Sequence, residues 1–152
     1  MIQEKFVVSG GIKHMPIYTD GDVDTGRAVD FNPADQGFVE SLYGLVSKIS
    51  KIHETKAKEY EAAADAAEKF DIGRAEDAEM REAVDSLFGE GFCKDVFKTR
   101  LFALVDGMTA IENFLFALMD EMDASIMENM AKRDAQIRKY TDKYSKYKKH
   151  RS

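Results

Sequence analysis

The residues able to do chemistry in this chain are His14, His53 and His150, a single Cys93, and the acidic runs Glu76-Asp77-Ala78-Glu79 and Asp120-Glu121-Met122-Asp123. Catalysis needs such groups to converge, and their spacing does not bring them together. The histidines fall in three different segments, and no partner stands at metal-ligand spacing from any of them. Cys93 has only Lys94 as a neighbouring base, without a nucleophile motif around it. Phosphate-cradling glycine loops and the HExxH metalloprotease pattern are absent. The acidic runs lack the Glu-x-x-His pairs that a di-iron helical bundle uses, and solvated helix faces account for both. Asp20, Asp22 and Asp24 alternate around Gly21, but the glycine sits wrongly for a calcium loop and no Glu closes a twelve-residue frame. A turn is the better reading. The chain is therefore expected to be non-enzymatic, with no catalytic residue, metal or cofactor.

A second kind of chemistry lies at the C-terminal end. Residues 132–152 carry nine Lys/Arg against Asp134 and Asp142, a net charge of +7, which leaves −13 on residues 1–131. A basic tail on an acidic body can bind nucleic acid, an acidic surface or the acidic body of a neighbouring copy. It can equally be a solvated helix end whose cations suit the helix dipole. Tyr140, Tyr144 and Tyr147 interleave with the lysines and could stack on bases. They also fall on one helix stripe that continues an apolar face, which favours a protein interface over nucleic acid.

These residues must be positioned by helices. From about Thr109 to Tyr147 the apolar residues Ile111, Phe114, Leu115, Leu118, Met119, Met122, Ile126, Met130, Ile137, Tyr140, Tyr144 and Tyr147 recur mostly at steps of three and four. One long helix is predicted, its first half buried in the chain and its second half directed at something else. Upstream, Phe38, Leu42, Leu45, Ile49 and Ile52 step by four, three, four and three, a seam suited to a partner helix. That first helix is expected to start at Asn32-Pro33, with Asn32 as cap, and to run to about Lys69. Asp71-Ile72-Gly73 reads as the break before a second helix, from about Arg74 to Phe88, which Gly89 and Gly91 end. One or two helical turns follow around Phe92–Phe97. Leu101–Asp106 is too short for periodicity to decide, and its helical neighbours favour helix.

Before the first helix the pattern is β-like. Lys5–Val8, Ile12–Tyr18 and Arg27–Phe31 read as short strands separated by turns at Gly10-Gly11 and Asp20-Gly21. The fold class is thus mainly α (α+β): a small N-terminal β-hairpin region, a helical bundle with two long helices, and a protruding basic helix end. The organisation is a β-rich region 1–31, a helical core 32–131 and a basic, Tyr-containing extension 132–152. At 152 residues the chain can bury a core without metal or disulfide. The lone Cys93, expected as a small buried hydrophobe, fits a reducing compartment. No run reaches the ~18 apolar residues of a membrane span, and the start lacks the basic and apolar regions of a signal peptide. A cytoplasmic protein without membrane partners is expected.

Val29-Asp30-Phe31-Asn32-Pro33-Ala34-Asp35-Gln36-Gly37-Phe38-Val39-Glu40-Ser41-Leu42-Tyr43 resembles the start of the main helix in small proteins from the tail gene clusters of siphophages of Gram-positive bacteria. Arg74–Gly89, the Cys93–Phe97 turn and Phe114–Asp123 continue the likeness, which spans roughly residues 28 to 144. Such proteins resemble tail assembly chaperones. The resemblance implies a helical, self-associating protein that coats the long apolar tape-measure protein, or another tail protein, in the cytoplasm of an infected host. On this reading the residues contacting the partner are Phe38, Leu42, Leu45 and Ile49 of the first helix. Met122, Ile126, Met130, Ile137, Tyr140, Tyr144 and Tyr147 of the last helix join them. A structural or regulatory adaptor of a phage is the alternative, and nucleic-acid binding through the tail stands behind both.

Overall fold

A computed structural model describes residues 4–98, 104–105 and 108–151. Two strands, β1 (Lys13–Thr19) and β2 (Val23–Phe31), form an antiparallel hairpin, followed by α1 (Gln36–Ala62), α2 (Ala66–Phe88) and the short α3 (Phe92–Val96). A two-residue ladder, β3 (Leu104–Val105) with β4 (Met108–Thr109), leads into α4 (Ala110–Arg151). The mainly helical class with an N-terminal hairpin is as read from the sequence.

The hairpin closes through Asp20 and Gly21, both at positive φ, which the Asp-Gly pair tolerates well. Its register shifts between Pro16 and Tyr18. The Thr25 hydroxyl donates to the Ile17 carbonyl oxygen at 2.7 Å, and the Asp24 carboxylate accepts from the Gly26 N–H at 2.9 Å. This bulge re-aims the strand so that Arg27 reaches α3. Its Nε donates to the Asp95 carboxylate at 2.6 Å and a terminal nitrogen donates to the Glu90 carbonyl oxygen at 2.8 Å. Beyond the bulge, Val29 and Phe31 alternate onto the inner face and are buried. Phe6, Val7 and Val8, expected as a first strand, have no regular structure and lie exposed. No third strand pairs there among the described residues, so β-prone side chains alone do not make a ladder.

The helix boundaries differ from the expected ones for identifiable reasons. Asn32 does not cap α1. Its side chain accepts from the Ala34 N–H at 2.9 Å within a turn, and Asp35 is the cap, accepting from Gly37 N–H at 3.0 Å. Helix α1 ends at Ala62 rather than near Lys69, because Asp65 caps a new helix. Its carboxylate accepts from Glu68 N–H at 2.9 Å, while the Glu68 carboxylate accepts from Ala64 N–H at 2.7 Å. This reciprocal arrangement is a close variant of the capping box. Asp71-Ile72-Gly73 is therefore the interior of α2, not a break. Leu104 and Val105 are strand, not helix, since they ladder with Met108 and Thr109. The rest of the Leu101–Asp106 stretch lies outside the described residues.

Helices α1 and α2 form a hairpin, with Leu42, Leu45 and Ile49 of α1 and Met80, Ala83 and Val84 of α2 in the core. On its polar flank, His53 Nδ1 meets Glu76 at 2.8 Å and Lys56 meets Glu79 at 3.7 Å. The first half of α4 completes the core with Ile111, Leu115, Leu118 and Met122. Gly73 is mid-helix, and a Cβ built there meets nothing within 4 Å. Gly73→Ala is accordingly expected to raise stability by about 0.5–1 kcal/mol, read as a higher urea midpoint at unchanged slope.

Candidate partner-binding surface

The surface is built by one helix that outruns the body to which it is attached. Its inner stripe is anchored by aromatic packing at the start of α4. The Phe114 ring lies 5.6 Å from that of Phe92, 5.5 Å from Phe88 and 5.9 Å from Phe97. Burial then follows the predicted stripe through Met122, only 1% exposed, and Ser125, and reaches its half-buried end at Ile126. From Met127 to Lys149 every residue is exposed. At 1.5 Å per residue this free length is about 35 Å. Along it Met130, Ile137, Tyr140, Tyr144 and Tyr147 remain 46% to 65% exposed, on the same stripe that is buried upstream.

The eleven sequence-derived contact residues thus divide sharply. Leu42, Leu45, Ile49 and Met122 are buried in the protein's own core, and Phe38 stacks on Phe31 with ring centroids 5.0 Å apart. The α1 seam is filled by this chain's own elements, which corrects its expected role as a surface for a partner. Ile126 marks the boundary. Met130, Ile137, Tyr140, Tyr144 and Tyr147 form the accessible remainder, framed by Lys139 and Lys143, whose ammonium groups lie 5.8 Å and 5.1 Å from the Tyr140 ring. Met127, 74% exposed beside this stripe, was not singled out from the sequence; the switch from buried to exposed at Ile126 is what reveals it.

The groups with chemical potential are engaged in structure. Cys93 is buried, with its backbone N–H donating to the Asp85 carboxylate at 2.8 Å and its Sγ 3.8 Å from the Arg81 carbonyl oxygen. Burial, with the Asp85 carboxylate beside it, pushes the thiol up from 9.0 to about 12. A thiol held protonated is a poor nucleophile. His14 meets Asp30 at 2.5 Å on the exposed hairpin, far in sequence from the His53–Glu76 pair. Among the described residues, no group of three or more His, Cys, Asp or Glu side chains could hold a metal ion. A cavity of about 370 Å³ opens between α1, α2 and the start of α4. Its floor is Val46, Ile49, Met80, Ile111, Leu115 and Phe116, with Ser50, His53, Glu76, Thr109 and Glu112 at its polar positions. Glu112 there accepts from the Thr109 hydroxyl at 2.7 Å, and Glu76 is occupied by His53. The cavity can seat an apolar group against these side chains. None of the helices, among the described residues, is long and apolar enough to cross a membrane.

Comparison with protein-family models, curated proteins and solved structures finds no match for this chain.

Two predictions follow from these environments. The fold favours the neutral Cys93 thiol, so its contribution to stability is whole below pH 9 and is lost as pH rises toward 12. At pH 8, iodoacetamide should modify native Cys93 only as fast as the protein unfolds, whereas the urea-denatured chain reacts at once. The two halves of α4 should also differ in their effect on the body. Leu115→Ala should cost about 2–5 kcal/mol in urea unfolding. Tyr140→Ser with Tyr144→Ser, at submicromolar chain concentration, should change it by less than about 0.5 kcal/mol.

Proposed function

We propose that this chain is a non-enzymatic assembly chaperone of a phage tail, coating amphipathic helices of a tape-measure protein in the cytoplasm of the infected host. The observation that carries the proposal is the exposed distal stripe of α4. A soluble protein that leaves Met130, Ile137, Tyr140, Tyr144 and Tyr147 in water on one helix face keeps an interface there. Methionine repacks on varied partners, and tyrosine supplies large contact area at low entropic cost. The resemblance of residues 28–144 to tail assembly chaperones points the same way. With the α1 seam filled internally, the binding surface is the distal part of α4, and each copy would mask about 30 Å of a client helix. Several copies along one long client then follow from length alone.

The charge of the tail supports one further reading, since +7 on residues 132–152 with interleaved tyrosines is also a single-strand nucleic-acid surface. The two separate by ionic strength. Phosphate binding weakens steeply as salt rises, whereas apolar helix packing does not.

Co-expression with the tape-measure protein of its own gene cluster tests the proposal. A soluble complex with several copies of this chain per client is expected, and the triple change Ile137→Ser, Tyr140→Ser, Tyr144→Ser should abolish capture. A client that stays insoluble, or is captured equally well by the triple variant, refutes it.

A further inference from the structure

We propose that the client segment taken by distal α4 is a single amphipathic helix whose N-terminal half is acidic, lying antiparallel to α4. This rests on the reading of that stripe as a client-binding surface, and it names what the surface selects. Shape limits the occupant first. The body buries Ile111, Leu115, Leu118 and Met122, and Met130, Ile137, Tyr140 and Tyr144 continue their stripe along the same unbroken helix. The exposed stripe therefore faces the side on which the body stands, in the corner between the two. A flat bilayer, or any other broad surface, would meet the body before it reached Met130. A lone helix, about 10–12 Å across with its side chains, fits a corner of this kind.

The upstream half of the stripe already holds one helix and shows the direction it takes. At the start of α4, Thr109, Ile111 and Glu112 line one cavity with Ser50 and His53 of α1. Farther along α4, Glu121 pairs with Lys13 at 3.0 Å. Lys13 stands opposite Phe31 in the hairpin, and Phe31 stacks on Phe38 near the start of α1. Helix α1 thus runs against α4, beginning near the level of Glu121 and passing Thr109 by His53. A client helix in the same sense occupies the outer half of the stripe as α1 occupies the inner half. Its C-terminal end then lies toward the body and its N-terminal end over Tyr147.

Charge supports the same direction. Residues 120–131 carry four Asp/Glu and no Lys or Arg, whereas residues 138–149 carry six Lys/Arg and one Asp. The centres of these blocks lie roughly 27 Å apart at 1.5 Å per residue. That is several times the screening length of about 8 Å at physiological salt, so a client meets them as separate fields. At the stripe itself, Lys139 and Lys143 lie 5.8 Å and 5.1 Å from the Tyr140 ring, and Lys148 directly follows Tyr147. Carboxylates laid over Tyr140 to Tyr147 gain from these cations. Carboxylates laid over Met127 to Met130 meet Glu128, which the Lys132 ammonium 2.9 Å away holds charged, below the usual carboxylate range. Acidic residues in the first turns of a helix are also the ones its own dipole favours. An antiparallel client with an acidic N-terminal half therefore satisfies shape, dipole and charge at once. A parallel client would need its carboxylates at its C-terminal end, against its own dipole.

The test uses the full chain and two synthetic peptides of equal composition, each about 20 residues long to match about 30 Å of stripe. Both carry leucine along one helix face. One has its glutamates in the first half and its lysines in the second, and the other has the reverse. In calorimetric titration at low salt the glutamate-first peptide should bind about tenfold more tightly, the worth of three or four exposed ion pairs. Its advantage should shrink as salt rises. A chain with Lys143→Glu, Lys146→Glu and Lys148→Glu should reverse the preference, which a difference in the peptides' own helicity could not do. For orientation, a chain with Tyr147→Cys should form a disulfide with a cysteine at the N-terminus of the glutamate-first peptide, and not with one at its C-terminus. The native Cys93 stays out of this chemistry because it is buried and protonated. Equal affinity for both peptides, an unchanged preference in the charge-reversed chain, or a link to the C-terminal cysteine overturns the proposal and leaves the client reading standing. If neither peptide binds, the client reading of the stripe falls, and this inference with it.

Discussion

The structure depends on the packing around Phe92. This side chain is almost wholly buried and lies 4.8 Å from the Phe88 ring, 5.6 Å from Phe114 and 6.4 Å from Phe97. Those residues belong to the end of α2, to α3 and its flank, and to the start of α4, so one aromatic cluster joins three helices. Each aromatic pair adds about 0.5–1.5 kcal/mol beyond area burial, enough to orient short elements that could not hold themselves. Helix α3 has only five residues and gains its stability from outside. Gly91 takes the left-handed conformation at its start, Asp85 accepts from the N–H groups of Gly91 and Cys93, and Arg27 of the hairpin grips Asp95 and the Glu90 carbonyl. The hairpin, α2 and α4 are thereby tied to one another around α3, and Phe38 on Phe31 and Lys13 with Glu121 join the hairpin to α1 and α4 as well.

That anchorage is what makes the distal half of α4 possible. An isolated helix of its length would be marginal in water, because forming the first turn is costly. Here the first turns are nucleated by burial of Ile111, Leu115, Leu118 and Met122, and the remainder propagates from a finished helix. Cations near its end complement the negative pole of the dipole, and Glu128–Lys132 adds an i,i+4 pair. Body and extension are one secondary-structure element divided by what covers it.

How much of this was legible in the sequence depends on what kind of signal each feature leaves. The α4 stripe was fully legible, since periodicity is a property of the helix itself, and so were the end of α2 at Gly89 and the hairpin turn at Asp20-Gly21. The cap at Asp65 was not seen because Asp65-Ala66-Ala67-Glu68 lies within an alanine-rich run that continues a helical pattern without a change of polarity. Gly73 looked like a breaker, yet the helix that Asp65 caps runs through it, and the burial of Met80, Ala83 and Val84 further along α2 carries one poor helix former. The seam Phe38, Leu42, Leu45 and Ile49 shows the deeper limit. Its spacing states that a face is apolar, and it would read the same whether α2 and α4 covered it, as they do, or another chain did. Arg27 reaches Asp95 across 68 positions of sequence, and nothing local to either residue announces the pair.

The composition of the stripe does separate these cases along α4, where spacing cannot. Residues that the body covers are Ile, Leu, Met and Phe, which gain most from permanent removal from water. Beyond Ile137 the same positions hold only tyrosine, whose hydroxyl keeps one edge hydrated while the ring still offers contact area. An aliphatic residue at Tyr140, Tyr144 and Tyr147 would leave a wider apolar strip in water and invite aggregation. A fully polar one would leave nothing to bind. The tyrosines, flanked by Lys139, Lys143 and Lys146, keep a hydrated edge and an exposed ring on the same face. The gradient from aliphatic to aromatic along one unbroken helix therefore follows what surrounds it: the protein's own interior for the first half, and water for the second.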